Sequence, residues 1–167
     1  AWYKVHEPLN FYIQYLTLRC DTYEIETMAK GIDVIRARMN DISTRIAERN
    51  PEYPVSNKEK SLFDVLEVCE ELYARGYNIS NVDLYKSLAV EFRVSPDNPK
   101  TIIPPFTVID GLGINVAKSI DEAREKGEFL SKEDILKRTQ VSSSMLVKLA
   151  HMGCLEGLQE SNQMSLF

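Results

Sequence analysis

Apolar positions come first in a dense block and then at steps of three and four. Residues 8–19 hold Leu9, Phe11, Tyr12, Ile13, Tyr15, Leu16 and Leu18. Pro8 suits a first helical turn, where its missing N–H would be unpaired anyway. The block therefore predicts a helix over residues 8–19, apolar nearly all round and buried in a larger body. Ile25, Met28, Ile32, Ile35, Met39, Ile42 and Ile46 then form one unbroken stripe. It predicts a single helix of about 25 residues, opened by a capping box at Asp21-Thr22-Tyr23-Glu24. A coiled coil would need a second heptad segment, which the chain lacks, so the stripe is assigned to packing on neighbouring helices.

Asn50-Pro51-Glu52-Tyr53-Pro54 interrupts the pattern. A third helix is expected over about residues 58–75, with Leu62, Val65, Leu66, Cys69, Leu72 and Tyr73 inward and Gly76 as its left-handed stop. Residues 77–103 change character. Short runs at 79–82, 89–94 and 101–103 around Ser95-Pro96-Asp97-Asn98-Pro99 predict a small β-hairpin. Further on, Gly127 stops one helix, and Ser131-Lys132-Glu133-Asp134 opens another that ends near residue 138. Ser142, Ser143 or Ser144 starts the last one, with Met145, Leu146, Leu149 and Met152 inward and Gly153 closing it. Residues 156–167 show no period and read as a flexible tail. The expected fold is mainly α: a helical segment (1–76), a small β region (77–103), a compact helical unit (104–155) and the tail (156–167).

The stretch between the β region and the late helices carries the candidate chemistry. Ile109-Asp110-Gly111-Leu112-Gly113-Ile114-Asn115-Val116-Ala117 places two residues without a Cβ just ahead of a helix start. Both glycines can take positive φ and let another surface approach closely. The first N–H groups of a helix beginning at Ile114 have no intrahelical partner and sit at the positive end of the helix dipole, so an anion belongs there. A dinucleotide fingerprint would need a third glycine at position 116, which is Val, and alternating strands and helices, which are absent. An ordinary helix–helix turn is the bland alternative. The pattern apolar-x-Gly-x-Gly-x-x-x-Ala-x-x-Ile resembles instead the helix-hairpin-helix element. That resemblance implies hairpin amides on consecutive phosphates of one strand, and a monovalent cation on the hairpin carbonyls.

Composition narrows the picture less than charge distribution does. The chain has 167 residues, 44% of them hydrophobic, and a net charge of −5. It shows neither a long apolar run nor a secretory leader, so a cytoplasmic protein with no membrane partner is expected. It begins at Ala1-Trp2-Tyr3 without Met and reads as a piece of something longer. Cys20, Cys69 and Cys154 lie far apart with no Cys-x-x-Cys, which argues against zinc or a disulfide framework. His6 and His151 stand alone. Lys and Arg balance Asp and Glu over residues 101–155, so any grip on DNA must come from amides and a few placed cations. The candidates for that grip are Gly111, Gly113, Ile114, Asn115 and Lys118, with Lys132, Lys137, Arg138 and Lys148 as further cations.

The last five residues, Gln163-Met164-Ser165-Leu166-Phe167, end a polar tail on two apolar side chains, a feature usually kept for a partner. They resemble the peptide by which bacterial proteins dock on the ring-shaped sliding clamp, with Met164 in place of the usual Leu. Together with Lys4-Val5-His6-Glu7-Pro8-Leu9-Asn10-Phe11, Pro104-Pro105-Phe106, Gly111-Leu112-Gly113 and residues 127–134, they make the chain similar to the C-terminal part of the PolC type of bacterial replicative DNA polymerases. The resemblance implies the end of the fingers, a helix-hairpin-helix domain on the primer–template duplex, a clamp-binding tail, and the remaining polymerase domains as partners. It implies a parent enzyme that uses Mg²⁺ for nucleotidyl transfer and carries a 3′–5′ exonuclease elsewhere. It would also turn Lys4 and His6 toward the incoming nucleotide. The chain holds no Asp-x-Asp, so the metal-binding carboxylates are expected outside it and the piece alone should be inactive. The competing class is a non-enzymatic helix-hairpin-helix adaptor of a repair or replication complex.

Overall fold

The structure is a computed structural model that describes residues 7–161. Lys4, His6 and the five tail residues Gln163, Met164, Ser165, Leu166 and Phe167 lie outside the described residues.

Helix α1 (Pro8–Leu18) starts on its proline as expected. It buries only Tyr12 and Leu16, while Leu18 is 81% exposed, so one face rather than the whole circumference meets the core. The expected capping box is not formed. Cys20–Thr22 makes a 3₁₀ turn, and the Glu24 carboxylate accepts from Arg38 at 3.2 Å instead of turning back on the backbone. An ion pair offers that carboxylate more than a neutral amide does.

The single long helix is also corrected. It is divided into α2 (Ile25–Met28) and α3 (Ile32–Glu48) at Gly31, whose φ of +101° lies outside the helical region. The apolar stripe hides the break because Ile25 and Met28 on one side and Ile35 and Ile42 on the other still bury into one core. Helix α4 (Asn57–Ala74) runs antiparallel to α3, since Arg45 pairs with Glu59 near one end and Arg36 with Glu70 near the other. Its start carries a capping box: Glu59 N–H donates to Ser56 Oγ at 3.1 Å, and Ser56 N–H donates to the Glu59 carboxylate at 3.1 Å. It ends in a Schellman turn, with Gly76 at φ +86° and Tyr77 N–H on the Leu72 carbonyl at 3.2 Å.

The β region is a three-stranded sheet in the order β1 (Asn78–Ile79), β3 (Thr101–Ile103), β2 (Arg93–Val94). The expected hairpin is its β2–β3 half, antiparallel with Val94 opposite Ile102. Strand β1 pairs parallel to β3, with Ile79 opposite Ile102, and so completes the sheet from the other edge. The strands are shorter than the apolar runs because residues 80–91 are held in loops by side chains. Asp83, for example, accepts from the amides of Tyr85 and Lys86, both at 2.9 Å. Thr101, Ile102 and Ile103 are all buried, as a central strand covered on both faces requires.

Buried Pro104 and Pro105 lead into a 3₁₀ turn (Phe106–Val108) and then to α5 (Ile114–Glu125), α6 (Lys132–Arg138) and α7 (Ser143–His151). Ser131 caps α6 by accepting from Asp134 N–H at 3.1 Å, and Ser142 caps α7 by accepting from Met145 N–H at 3.2 Å. A single cluster of buried side chains runs from Tyr12 through Ile42, Leu66, Phe92, Phe106 and Ile120 to Leu155. The helical segment and the hairpin unit thus share one core. Residues 156–161, expected in the tail, are held: Leu158 packs on that core, and Gln159 and Glu160 accept backbone bonds from α6.

Candidate nucleic-acid interface

The hairpin is made by main-chain bonds and anchored by two apolar side chains. Leu112 N–H donates to the Ile109 carbonyl at 3.0 Å, closing the turn, and both side chains are buried. Gly111 sits at φ +84°, where an L side chain is strained. Gly113 does not need positive φ: at φ −79° and ψ 170° it is the extended N-cap of α5. A Cβ at 113 would meet nothing within 4 Å, so this glycine keeps open the surface outside the helix start. The first intrahelical bond is Ala117 N–H to the Gly113 carbonyl at 3.0 Å, which leaves the amides of Ile114, Asn115 and Val116 at the head of the helix. No acidic side chain and no side-chain cap competes for them.

Around this amide group stand Ile114, 55% exposed, together with exposed Asn115 and Lys118. From α7, Lys148 Nζ donates to the Asp110 carbonyl at 2.7 Å. Met145 backs the same turn, its Cε 3.7 Å from the place of a Gly111 Cβ. Helix α7 thus supports the hairpin, and sequence reasoning had no signal for Met145 beyond its inward position. Six of the expected residues meet here: Gly111, Gly113, Ile114, Asn115, Lys118 and Lys148. One of the hairpin carbonyls, that of Asp110, accepts from the Lys148 ammonium.

The other cations lie apart from the hairpin. Lys132 pairs with Glu160 at 2.6 Å, and Lys137 pairs with Glu133 one turn back at 3.1 Å. Arg138 is turned inward, donating to the carbonyls of Ala123 (2.6 Å), Gly127 (2.9 Å) and Glu128 (2.9 Å) and to Asp134 (3.0 Å). Its guanidinium also stacks 4.7 Å over the Phe129 ring. This arginine braces the C-terminal end of α5, since it ties the Ala123 carbonyl, which also accepts from Lys126 N–H, to the carbonyls of Gly127 and Glu128 just beyond the helix. The Leu130 amide and Arg138 together hold the Asp134 carboxyl below the usual carboxylate range.

A cleft of about 750 Å³ separates the inner side of the hairpin from the helical segment. Asp21, Glu24, Glu26 and Glu59 line its far wall, and Arg38 there is engaged by Glu24, Asp41 and Glu59. Arg45 beside Glu59 holds that carboxyl down to about 2. Lys58, Lys148 and Gly113 also line this cleft, whereas Asn115 and Lys118 face solvent outside it. A phosphate strand is repelled by the acidic wall and favours that outer side. Among the described residues no group of three or more His, Cys, Asp or Glu is placed to hold a metal ion. Nor is any helix there long and apolar enough to cross a membrane.

A family model described as a helix-hairpin-helix motif matches residues 76–165. Over all 167 residues the chain is 46% identical to a protein from Oceanobacillus iheyensis named DNA polymerase III PolC-type, of which it covers 11%. The proteins of the same name from Listeria innocua and Streptococcus pyogenes are 46% and 44% identical over the same span, again 11% of their length. The chain is therefore homologous to a segment of much longer proteins. The family model begins at the end of α4 and takes in the sheet, the glycine hairpin and all three late helices, more than half of the sequence, and the chain belongs to the helix-hairpin-helix motif family.

Proposed function

We propose that this chain is the part of a PolC-type replicative DNA polymerase that holds the primer–template duplex by its backbone and carries the peptide that docks on the sliding clamp. The observation that carries the DNA reading is the open amide group at Gly113, Ile114 and Asn115, uncapped and flanked by Lys118 and Lys148. Phosphate oxygens accept from those amides, and the two ammonium groups add charge without geometric selectivity. The hairpin presents few side chains able to read a base edge, so the grip follows the strand and not its sequence.

With a net charge of −5 the grip is weak by itself. The tail supplies the remainder. Leu166 and Phe167 enter an apolar pocket on the clamp while Gln163 bonds at its rim, and Met164 replaces Leu at similar volume. Two modest affinities joined by a short tether hold the enzyme on DNA through effective concentration. Nucleotidyl transfer with Mg²⁺, and the 3′–5′ exonuclease, belong in this reading to other parts of the longer cytoplasmic enzyme. Lys4 and His6 lie at its fingers, toward the nucleotide.

Amide resonances of the chain followed during titration with short duplexes test the DNA reading. Gly113, Ile114 and Asn115 should move first and equally for two unrelated base sequences. Fixed resonances there, with movement elsewhere, would overturn it.

A further inference from the structure

The root of the tail is tied to α6. Ser131 takes the third amide of that helix, and the first two are taken by the tail. Lys132 N–H donates to the Gln159 carbonyl at 2.9 Å, and Glu133 N–H to the Glu160 carbonyl at 3.1 Å. The Lys132 ammonium adds an ion pair to Glu160 at 2.6 Å, and Leu158 packs on the core just before. The chain is therefore fixed up to Glu160. Two peptide units separate Ser161 from Gln163, a reach of about 7 Å. A body that takes Gln163 and the four residues after it is consequently held close against the surface from which the tail leaves.

That surface is a groove of about 420 Å³ lined by Lys132, Leu146, Val147, Ala150, His151 and Glu160. Val147 is 61% exposed, and Ala150 and His151 follow it at the spacing of one turn on α7. Lys132 and Glu160 neutralise each other, so what the groove offers is apolar contact. Leu146 and Ala150 also pack on the core, which leaves Val147 as the apolar side chain most open to a partner, and Lys148 and Met145 serve the hairpin. We infer that the α7 groove is a second docking surface for the same ring-shaped protein that takes the tail, filled by an apolar ridge beside that protein's peptide pocket. The inference rests on the clamp-docking reading above and adds a rigid contact to what would otherwise be a loose tether.

The test compares clamp binding, by surface plasmon resonance, of the full 167-residue chain, its Val147→Glu variant and a synthetic peptide of residues 159–167. Val147 faces solvent and Glu suits a helix, so the variant keeps its fold, which circular dichroism checks. The chain should bind about tenfold more tightly than the peptide, and Val147→Glu should fall to the peptide's affinity. Equal binding by chain, variant and peptide would overturn the groove while leaving the tail reading intact. Failure of all three to bind would overturn both.

Discussion

Lys148 and Asp110 are 38 positions apart in sequence, and the ammonium of one donates to the main-chain carbonyl of the other at 2.7 Å. The bond joins the last helix to the glycine hairpin and fixes a positive charge at the turn. Lys148→Met should weaken duplex binding and lower the slope of log affinity against log salt by about one. Its melting temperature should move little, because a single partly exposed hydrogen bond contributes about 1 kcal/mol.

The two hairpin glycines should separate stability from binding. Gly111→Ala forces a side chain into φ +84° and should cost about 1–2 kcal/mol in urea unfolding. Gly113→Val, at an extended N-cap with open space outside, should cost about 1 kcal/mol for the poorer cap and stay folded, yet lose duplex affinity. Unchanged binding by a folded Gly113→Val variant would remove the hairpin from the DNA contacts.

Arg138 answers four acceptors on its own chain. Arg138→Ala should destabilise the protein by about 2–3 kcal/mol, with Arg138→Lys recovering only a small part, because an ammonium cannot reproduce the planar fork. Chemical denaturation of both variants measures the difference. Their DNA affinity, corrected for the unfolded fraction, should match that of the parent.

Glu59 links the two long helices through Arg45 and Arg38, and its carboxyl is held down to about 2 by these partners, Arg45 foremost. A carboxyl lowered in the folded state stabilises it above the unfolded value of about 4.3. That contribution is lost as pH falls toward about 2. Melting temperatures should accordingly drop across this window, and Glu59→Gln should flatten the drop.

Local chemistry made much of this molecule legible in the sequence. Pro8, Gly76, Ser131, Ser142 and Gly153 mark helix ends because caps and left-handed stops act within a few residues. The start of α5 at Ile114 follows from the two glycines before it. What stayed hidden depends on partners distant along the chain. Gly31 breaks a stripe whose period runs on across the break, because both pieces face one core. Glu24 leaves its expected cap for Arg38, 14 positions away. Strand β1 exists only where β3 pairs with it. Arg138 reads as a surface cation until its acceptors on the end of α5 are seen, whereas Lys148 reads the same way and lies on the hairpin. The Ser56-x-x-Glu59 box was readable by its spacing and marks the start of α4 more sharply than the apolar pattern does.

The central claim is a backbone grip by the glycine hairpin, and fluorescence anisotropy of a labelled primer–template duplex at two salt concentrations tests it most directly. Binding that falls steeply with salt and ignores base sequence is the predicted result. Absence of binding at low salt, or binding that follows one base sequence, would contradict it.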